Sequence, residues 1–474
     1  MITLSLSKNK KYISINAPKN DLDYIRNYFS VKNPAFKSRL PFIPSRIYAI
    51  TPAGKFDIGL YSLVKDFVLS KKIPLEEDKS LIDFLSINKN KNLQTEELNT
   101  SLRFYQKNAI EKAIENGSGI IVLPTAAGKT LTAATLIHNL TKILNKKDIK
   151  ILVLVPSIQL VEQTSADFKN FGLNKISKWS GSTELDKNSS IVVAGTQKLL
   201  SEKTDKNFLS EIDIFILDEA HILRRGNQLN KIFNFIQTPY KFGFTGTMPP
   251  NLIDQWNVIG KLGPVLYEEK TIDLKNQNYI AEFKIKILKI NHQNFNFNKT
   301  SDLATDLYNQ EINFLIENER RNLIIANLAL KIAHNTIIMV DRIIHGELLL
   351  NILNKINANK TKNVYFIQGS TEIEEREEIR KLMEKNNSNI VIAISKIFST
   401  GINIPSIQNI IFALTGKAKI KIMQSIGRAL RLHPLKKCAT IFDVADNLKY
   451  SKIHLQERKL LYNTENYFYE EKEI

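Results

Sequence analysis

Leu123-Pro124-Thr125-Ala126-Ala127-Gly128-Lys129-Thr130 follows an apolar run at 120–123 and opens a segment with helical spacing from Leu131 onward. A strand that ends in a tight turn and opens a helix leaves backbone N–H groups pointing outward at the helix N-terminus, where polyanionic phosphate is favoured. The residue types suit that use. Thr125, Ala126 and Ala127 form the turn, Gly128 lets the backbone come close, Lys129 reaches the β- and γ-phosphates, and the Thr130 hydroxyl can ligate Mg²⁺. The full pattern G-x-x-x-x-G-K-[ST] asks for glycine where this chain has Leu123. Taken alone, the stretch also fits a strand–turn–helix corner whose glycine merely caps a turn.

Downstream, Ile214-Phe215-Ile216-Leu217-Asp218-Glu219-Ala220-His221 sets four apolar residues before two carboxylates. That order describes a buried parallel strand whose carboxyl end carries acids into the crevice where ligands of such sheets bind. Asp218 would hold Mg²⁺ through its water shell, and Glu219 would orient or deprotonate an attacking water. An exposed acidic turn after a core strand is the alternative for either feature alone. Together, in this order, they imply ATP and Mg²⁺. Near the carboxyl end, Gln424, Arg428 and Arg431 stand at i, i+4 and i+7, so a helix would project all three from one face. Planar guanidinium groups donate paired hydrogen bonds to phosphate oxygens and stabilise charge on a transferring phosphoryl group. A basic helix face paired with acids is the structural alternative.

LPTAAGKT followed by LDEAH resembles the ATPase core of superfamily 2 helicases in the DEAH-box lettering, a family in which the position of Leu123 is commonly not glycine. Gln424-Ser425-Ile426-Gly427-Arg428-Ala429-Leu430-Arg431 is similar to motif VI of that family at all four fixed positions. The resemblance implies roles for further residues. Gln106 in Leu102-Arg103-Phe104-Tyr105-Gln106 would read the adenine edge, supported by Arg103 and Tyr105. Pro156, Ser157 and Gln159 resemble motif Ia, and Gly195, Thr196 and Gln197 resemble motif Ib. Both would touch the phosphates of one nucleic-acid strand without reading sequence. Thr245-Gly246-Thr247 is similar to motif III, whose hydroxyls, with His221, would link the γ-phosphate site to the nucleic-acid site. Ser399-Thr400-Gly401-Ile402-Asn403 resembles motif V, with Thr400 toward nucleic acid, Gly401 toward nucleotide, and Asn403 where many members have an acid. Val340-Asp341-Arg342 and Gln368-Gly369-Ser370 resemble the motif IV region and the backbone-binding turn after it.

The fold class expected is α/β: two tandem RecA-like parallel-sheet domains with a small α+β N-terminal domain. Apolar runs at 119–123, 151–155, 191–194, 213–217 and 241–244 read as strands of the first sheet. A second series falls at 284–290, 336–340, 363–367, 390–394, 409–413 and 439–443, without a second phosphate cradle. Such a half is suited to closing over the nucleotide held by the other. The expected boundaries are 1–90 for a small basic domain, 91–275 for the ATP-binding lobe and 276–474 for the second lobe, with the polar stretch 88–100 as linker. Within the first unit, alternation at 2–6 and 12–15 suggests strands, 21–29 a helix with Asp21 near its cap, 46–50 a strand and 60–69 a helix.

The chain has 474 residues and a net charge of +18, which favours a polyanionic partner. Through residue 90, fifteen Lys and Arg oppose eight Asp and Glu, with Tyr, Phe and Arg interleaved around 24–48. That mixture suits DNA contact by charge and stacking, and equally a solvated basic surface. Cys438 stands alone, which excludes an intramolecular disulfide, fits a reducing compartment and reads as core. The amino terminus becomes charged too early for a secretory signal, and no apolar run approaches about 18 residues. A soluble, cytoplasmic protein is expected, in the host cytoplasm if phage-encoded, monomeric and without a membrane partner.

Within the helicases the chain resembles the UvsW type of phage recombination helicase. The shared features are a small basic amino-terminal domain, a compact core with little after motif VI, and the ending Ile426-Gly427-Arg428-Ala429-Leu430-Arg431-Leu432-His433. This resemblance implies ATP-driven remodelling of branched DNA, including fork reversal, branch migration and removal of RNA–DNA hybrid from R-loops. A generic DNA or RNA helicase, a duplex translocase of the restriction-motor type and an ATP-switched DNA clamp are the alternatives.

Overall fold

The computed structural model describes all residues except 37–42, 88–94, 182, 187, 202–206, 278, 280, 294, 298–303, 396–405, 415–437 and 465–466. Its contacts divide the chain into two compact units, one of Met1–Leu123 with Gly128–Glu269 and the other of Pro124–Ala127 with Lys270–Ile474.

The chain begins with a four-stranded sheet in the order Lys55–Asp57, Tyr12–Asn16, Ile2–Leu6, Leu75–Glu77. Its first two junctions are antiparallel and its last is parallel. Period-two alternation puts Ile2, Leu4, Ile13 and Ile15 on one face. That face is buried in a core shared with Ile25 and Phe29 of the first helical segment and with Val64, Phe67 and Val68 of helix Tyr61–Ser70. The first helix spans Lys19–Tyr28 rather than starting at Asp21, because Pro18 with φ −53° occupies the cap position. Asp21 falls in the first turn instead, where its charge suits the helix N-terminus.

This core does not end at its own boundary. Trp256 and Ile259, on helix Leu252–Leu262 of the adjoining sheet, pack against it, and the Trp256 and Phe29 ring centroids are 5.5 Å apart. Lys261 donates to Asp57 at 2.7 Å across the same seam. A β-carbon on Gly59 would stand 2.0 Å from the Ile259 carbonyl oxygen, so only glycine allows the two backbones to come this close.

The first lobe carries seven strands, all parallel, in the order Val265–Glu268, Gly119–Val122, Tyr240–Thr245, Ile214–Asp218, Ile151–Val155, Ile191–Gly195, Ile176–Trp179. Every residue of Ile151–Val155 is buried, as expected of a strand covered by helices on both faces. The second lobe repeats the plan with seven parallel strands ordered Asn363–Ile367, Asn389–Ile394, Thr336–Val340, Asn409–Phe412, Cys438–Asp446, Glu282–Ile290, Tyr469–Glu473. Two buried acids of Cys438–Asp446 anchor neighbouring helices. Asp446 accepts from Arg321 Nε at 3.0 Å, and Asp443 accepts from Arg458 Nε and the Tyr462 hydroxyl, both at 2.9 Å. The architecture is α/β, with two RecA-like parallel sheets in tandem along the chain after a small α+β unit. Among the described residues, no helix is long and apolar enough to cross a membrane.

Candidate ATP and nucleic-acid site

Strand Gly119–Val122 ends in Leu123, which is fully buried and donates its N–H to the Thr245 carbonyl at 2.9 Å. A sharp turn follows. Ala126 has φ +71° and Gly128 φ +79°, and helix Lys129–Leu144 starts immediately after, with Gly128 as its cap. A non-glycine residue in the left-handed region costs of order 1–3 kcal/mol, and such strain gathers at ligand clamps. The first N–H groups of a helix have no partners within it, so this turn presents donors where phosphate oxygens are favoured. The Lys129 ammonium donates to the Leu123 carbonyl at 3.2 Å, folded back over the turn.

Gln106 closes the cradle from the other side. It is 2 % exposed, accepts from the Arg103 N–H at 2.9 Å, and its amide reaches the Gly128 carbonyl at 3.4 Å. A β-carbon at 128 would come within 2.3 Å of that amide, a second reason for glycine there. The Arg103 guanidinium donates to the Tyr105 hydroxyl at 2.9 Å. The three residues thus form one block against the cradle.

The acidic strand end faces the same place. Lys129, Thr130 and Asp218 line one cavity of about 10 Å³, walled by Ala133, Val153, Thr164, Phe168, Ile216 and Phe244. That is room on the order of a single water. The Asp218 carboxyl is pushed up to about 6, by burial first and by the Glu219 carboxylate second, against the opposing pull of Lys129. An oxygen-rich acid held at such a cost, beside a threonine hydroxyl, fits a hard divalent cation, whose charge would relieve it. Among the described residues no three His, Cys, Asp or Glu side chains converge as a metal cage. Mg²⁺ keeps several waters and uses one or two carboxylates together with substrate phosphates, a ligand set that Asp218 and Thr130 could complete.

Glu219 has φ +52°, which turns its side chain away from the strand line and toward His221. Its carboxylate lies 3.3 Å from His221 Nδ1, and that nitrogen lies 3.0 Å from the Thr245 hydroxyl. The Thr245 hydroxyl donates to the Thr247 carbonyl at 2.8 Å, so it accepts from His221 and the imidazole proton sits on Nδ1. A continuous chain therefore runs from Glu219 through His221 and Thr245 to Thr247. His221 and Thr245 are both buried.

The segments expected to meet nucleic acid lie at the carboxyl ends of neighbouring strands. Ser157 caps helix Ile158–Asn170 by accepting from the Leu160 N–H, with Pro156 before it and Gln159 after it. Gly195 ends its strand, Gln197 is exposed, and the buried Thr196 hydroxyl donates to the Pro156 carbonyl at 3.2 Å. The structure thus joins the two segments directly. In the second lobe, Gln368, Gly369 and Ser370 form an open turn after strand Asn363–Ile367. Sequence reading missed its brace: the Arg376 guanidinium donates to the Gln368 and Gly369 carbonyls, each at 3.1 Å. An arginine nine residues past a strand carried no signal without the helix that returns it. Asp341 accepts from the Ser395 hydroxyl at 2.7 Å. Thr400, Gly401, Asn403, Gln424, Arg428 and Arg431 lie outside the described residues.

Residues 99–250 match the family model described as "Type III restriction enzyme, res subunit", and residues 319–433 match the helicase conserved C-terminal domain. The chain is 29% identical over 354 residues to the ATP-dependent DNA helicase uvsW of Enterobacteria phage T4, covering 73% of this chain and 68% of that protein. It is 24% identical over 403 residues to the DNA 3'-5' translocase XPB2 of Sulfurisphaera tokodaii, covering 78% of this chain and 86% of that one. In structure it is similar to a fragment of a putative HsdR subunit of a type I restriction enzyme from Vibrio vulnificus, with a TM-score of 0.61 at 15% identity, covering 97% of this chain and 98% of that one. The first family match spans the phosphate cradle and the acidic strand end, and the two family models together with the phage T4 relative identify the chain as a member of the superfamily 2 helicases, ATP-dependent enzymes, of UvsW-like type.

Proposed function

We propose that the chain is an ATP-driven DNA motor that remodels branched DNA, moving junctions, reversing forks and displacing RNA from R-loops. The observation that carries the reading is the convergence of Lys129, Thr130 and Asp218 on one cavity, joined through Glu219, His221 and Thr245 to the strand ends. In this reading Lys129 and the amides after Gly128 hold the phosphates of ATP, while Thr130 and Asp218 hold Mg²⁺. The cation, when bound, would offset phosphate charge. Glu219 takes the proton of the attacking water, with His221 fixing its carboxylate. Arg428 and Arg431 supply positive charge to the γ-phosphate, a role taken from the motif VI resemblance. Gln106 releases its bonds to Gly128 and reads the adenine edge. The contacts of Thr245 and Thr247 carry the nucleotide state toward the segments at 156–159 and 195–197.

The preference for branched DNA draws support from the likeness to the phage T4 helicase and from the amino-terminal domain. Residues 1–90 present Tyr24 and Tyr28 to solvent, 49% and 59% exposed, with Tyr28 stacked on Phe67 at 3.9 Å and Lys71 over the Phe67 ring. Rings held in this way, among cations, suit stacking against unpaired bases at a junction. Deleting this domain would strip Phe29 from Trp256 and Asp57 from Lys261, so point variants in the whole chain are the cleaner probe. The test is branch migration of a synthetic four-way junction by the wild type, Lys129→Ala and the Tyr24→Ala/Tyr28→Ala pair. Lys129→Ala should give no ATP-dependent product, and the tyrosine pair should slow junction movement while leaving ATPase on single-stranded DNA unchanged. A wild-type chain that hydrolyses ATP yet never moves the junction would overturn the branched-DNA reading.

A further inference from the structure

A second basic cavity, of about 420 Å³, opens between the amino-terminal domain and the first lobe. Five lysines line it: Lys10, Lys11 and Lys65 from the amino-terminal domain, and Lys241 and Lys261 from the lobe. Two carboxylates answer them. Glu77 accepts from Lys65 at 2.9 Å and also bonds the Tyr61 hydroxyl, while Asp57 accepts from Lys261 at 2.7 Å. Among the described residues the Lys11 ammonium donates to a neutral acceptor, the Asn234 carbonyl, and Lys10 lies over the Phe84 ring. The Lys241 ammonium makes no hydrogen bond or ion pair among the described residues, its backbone being paired in the sheet. Its ammonium is pulled down to about 8, by burial first, with Asp57 opposing and Lys261 and Lys11 adding to the fall. Like charges crowded together at partly desolvated positions are costly unless an anion joins them.

This cavity is not the ATP site seen from behind. Lys241 stands near the amino end of strand Tyr240–Thr245, whose other end carries Thr245 into the nucleotide site. Six residues of strand separate the two ends by about 16 Å. Ser118 and Pro264, which also line the cavity, likewise lie at the amino ends of their strands.

We propose that this cavity is a binding site for a phosphate-bearing anion, held by Lys11 and Lys241 across the junction of the amino-terminal domain and the first lobe. The polar lining of Asn9, Ser62 and Asn116 can donate to the remaining oxygens. The volume has room for a diphosphate group with its water shell. The anion can be a small soluble phosphate or the backbone of a nucleic acid.

The test measures binding of inorganic pyrophosphate by calorimetry, and of a single-stranded oligonucleotide by anisotropy across a salt series. It is run in the Lys129→Ala background to weaken the ATP cradle. For a soluble anion, Lys241→Met and Lys11→Met should each weaken pyrophosphate binding by about tenfold, the scale of one charge-assisted hydrogen bond, while Lys241→Arg retains it. For a nucleic-acid backbone, pyrophosphate binds weakly, and the same variants should weaken oligonucleotide binding and flatten its salt slope. Lys241→Met removes a desolvated charge, so it should fold at least as stably as the parent. In an otherwise wild-type chain, its unstimulated ATPase should be unchanged. Pyrophosphate and oligonucleotide binding both unaltered by Lys241→Met and Lys11→Met would overturn the site.

Discussion

At Asp218 the fold works against a charge that the chemistry needs. Its carboxyl is raised to about 6 in the folded chain, above the ordinary value of 3.8. A group whose folded value is raised binds its proton more tightly when folded, so its contribution is most favourable in acid and is lost as pH rises from about 4 to about 6. Above that window Asp218 weakens the nucleotide-free protein. Asp218→Asn should therefore raise the thermal midpoint near pH 8 by roughly 2–4 °C, with the gain vanishing near pH 4, while abolishing ATP hydrolysis. Thermal unfolding of both chains across that range checks it, and a destabilised variant near pH 8 would contradict it. The same residue shows what the sequence made readable. Two acids after four apolar residues signal a site because burial that close to a strand end is expensive. Nothing in the lettering shows that Glu219 takes a left-handed backbone or that His221 carries its proton on Nδ1, the latter set by Thr245, which arrives from another strand.

Strands buried on both faces read as continuous apolar runs, and the runs at 151–155 and 336–340 coincide with Ile151–Val155 and Thr336–Val340. Edge strands fit this logic less well: the run at 363–367 marks the edge strand Asn363–Ile367, but three others escape it. Ile176–Trp179, Val265–Glu268 and Tyr469–Glu473 were absent from the expectation, and the last reads YEEKE, charged because one side faces solvent. The contact of the amino-terminal domain with helix Leu252–Leu262 was equally hidden, since Gly59 and Trp256 lie far apart in sequence and carry no motif. That contact gives the sharpest prediction at this scale. Gly59→Val would drive a side chain into the Ile259 and Gly260 carbonyls and should destabilise the chain by about 1–3 kcal/mol. Tryptophan fluorescence should shift to the red as Trp256 leaves Phe29. Unchanged stability and emission in that variant would show that the seam is not fixed by close backbone approach.

For the whole molecule, the fold class and the candidate nucleotide site were legible because phosphate chemistry restricts residue choice so strongly: a glycine that must bend, a lysine that must reach, an acid that must sit at a strand end. Contacts with nucleic acid were less so. Hydroxyls and amides such as Ser157 and Thr196 serve equally as caps and strand ties, and here each has such a bond. The division of labour between two lobes predicts that Arg431→Ala spares ATP binding yet lowers kcat by about 10³-fold or more, the scale of an arginine finger. Nucleotide titration beside steady-state turnover separates the two effects, and a near-normal rate would remove Arg431 from that role. The central claim is that ATP hydrolysis here is coupled to branched DNA. Steady-state ATPase of the full chain with no nucleic acid, single-stranded DNA, duplex, four-way junction, R-loop and single-stranded RNA tests it most directly. Strongest stimulation by the junction or R-loop is the predicted result; equal stimulation by every single strand, RNA included, would contradict it.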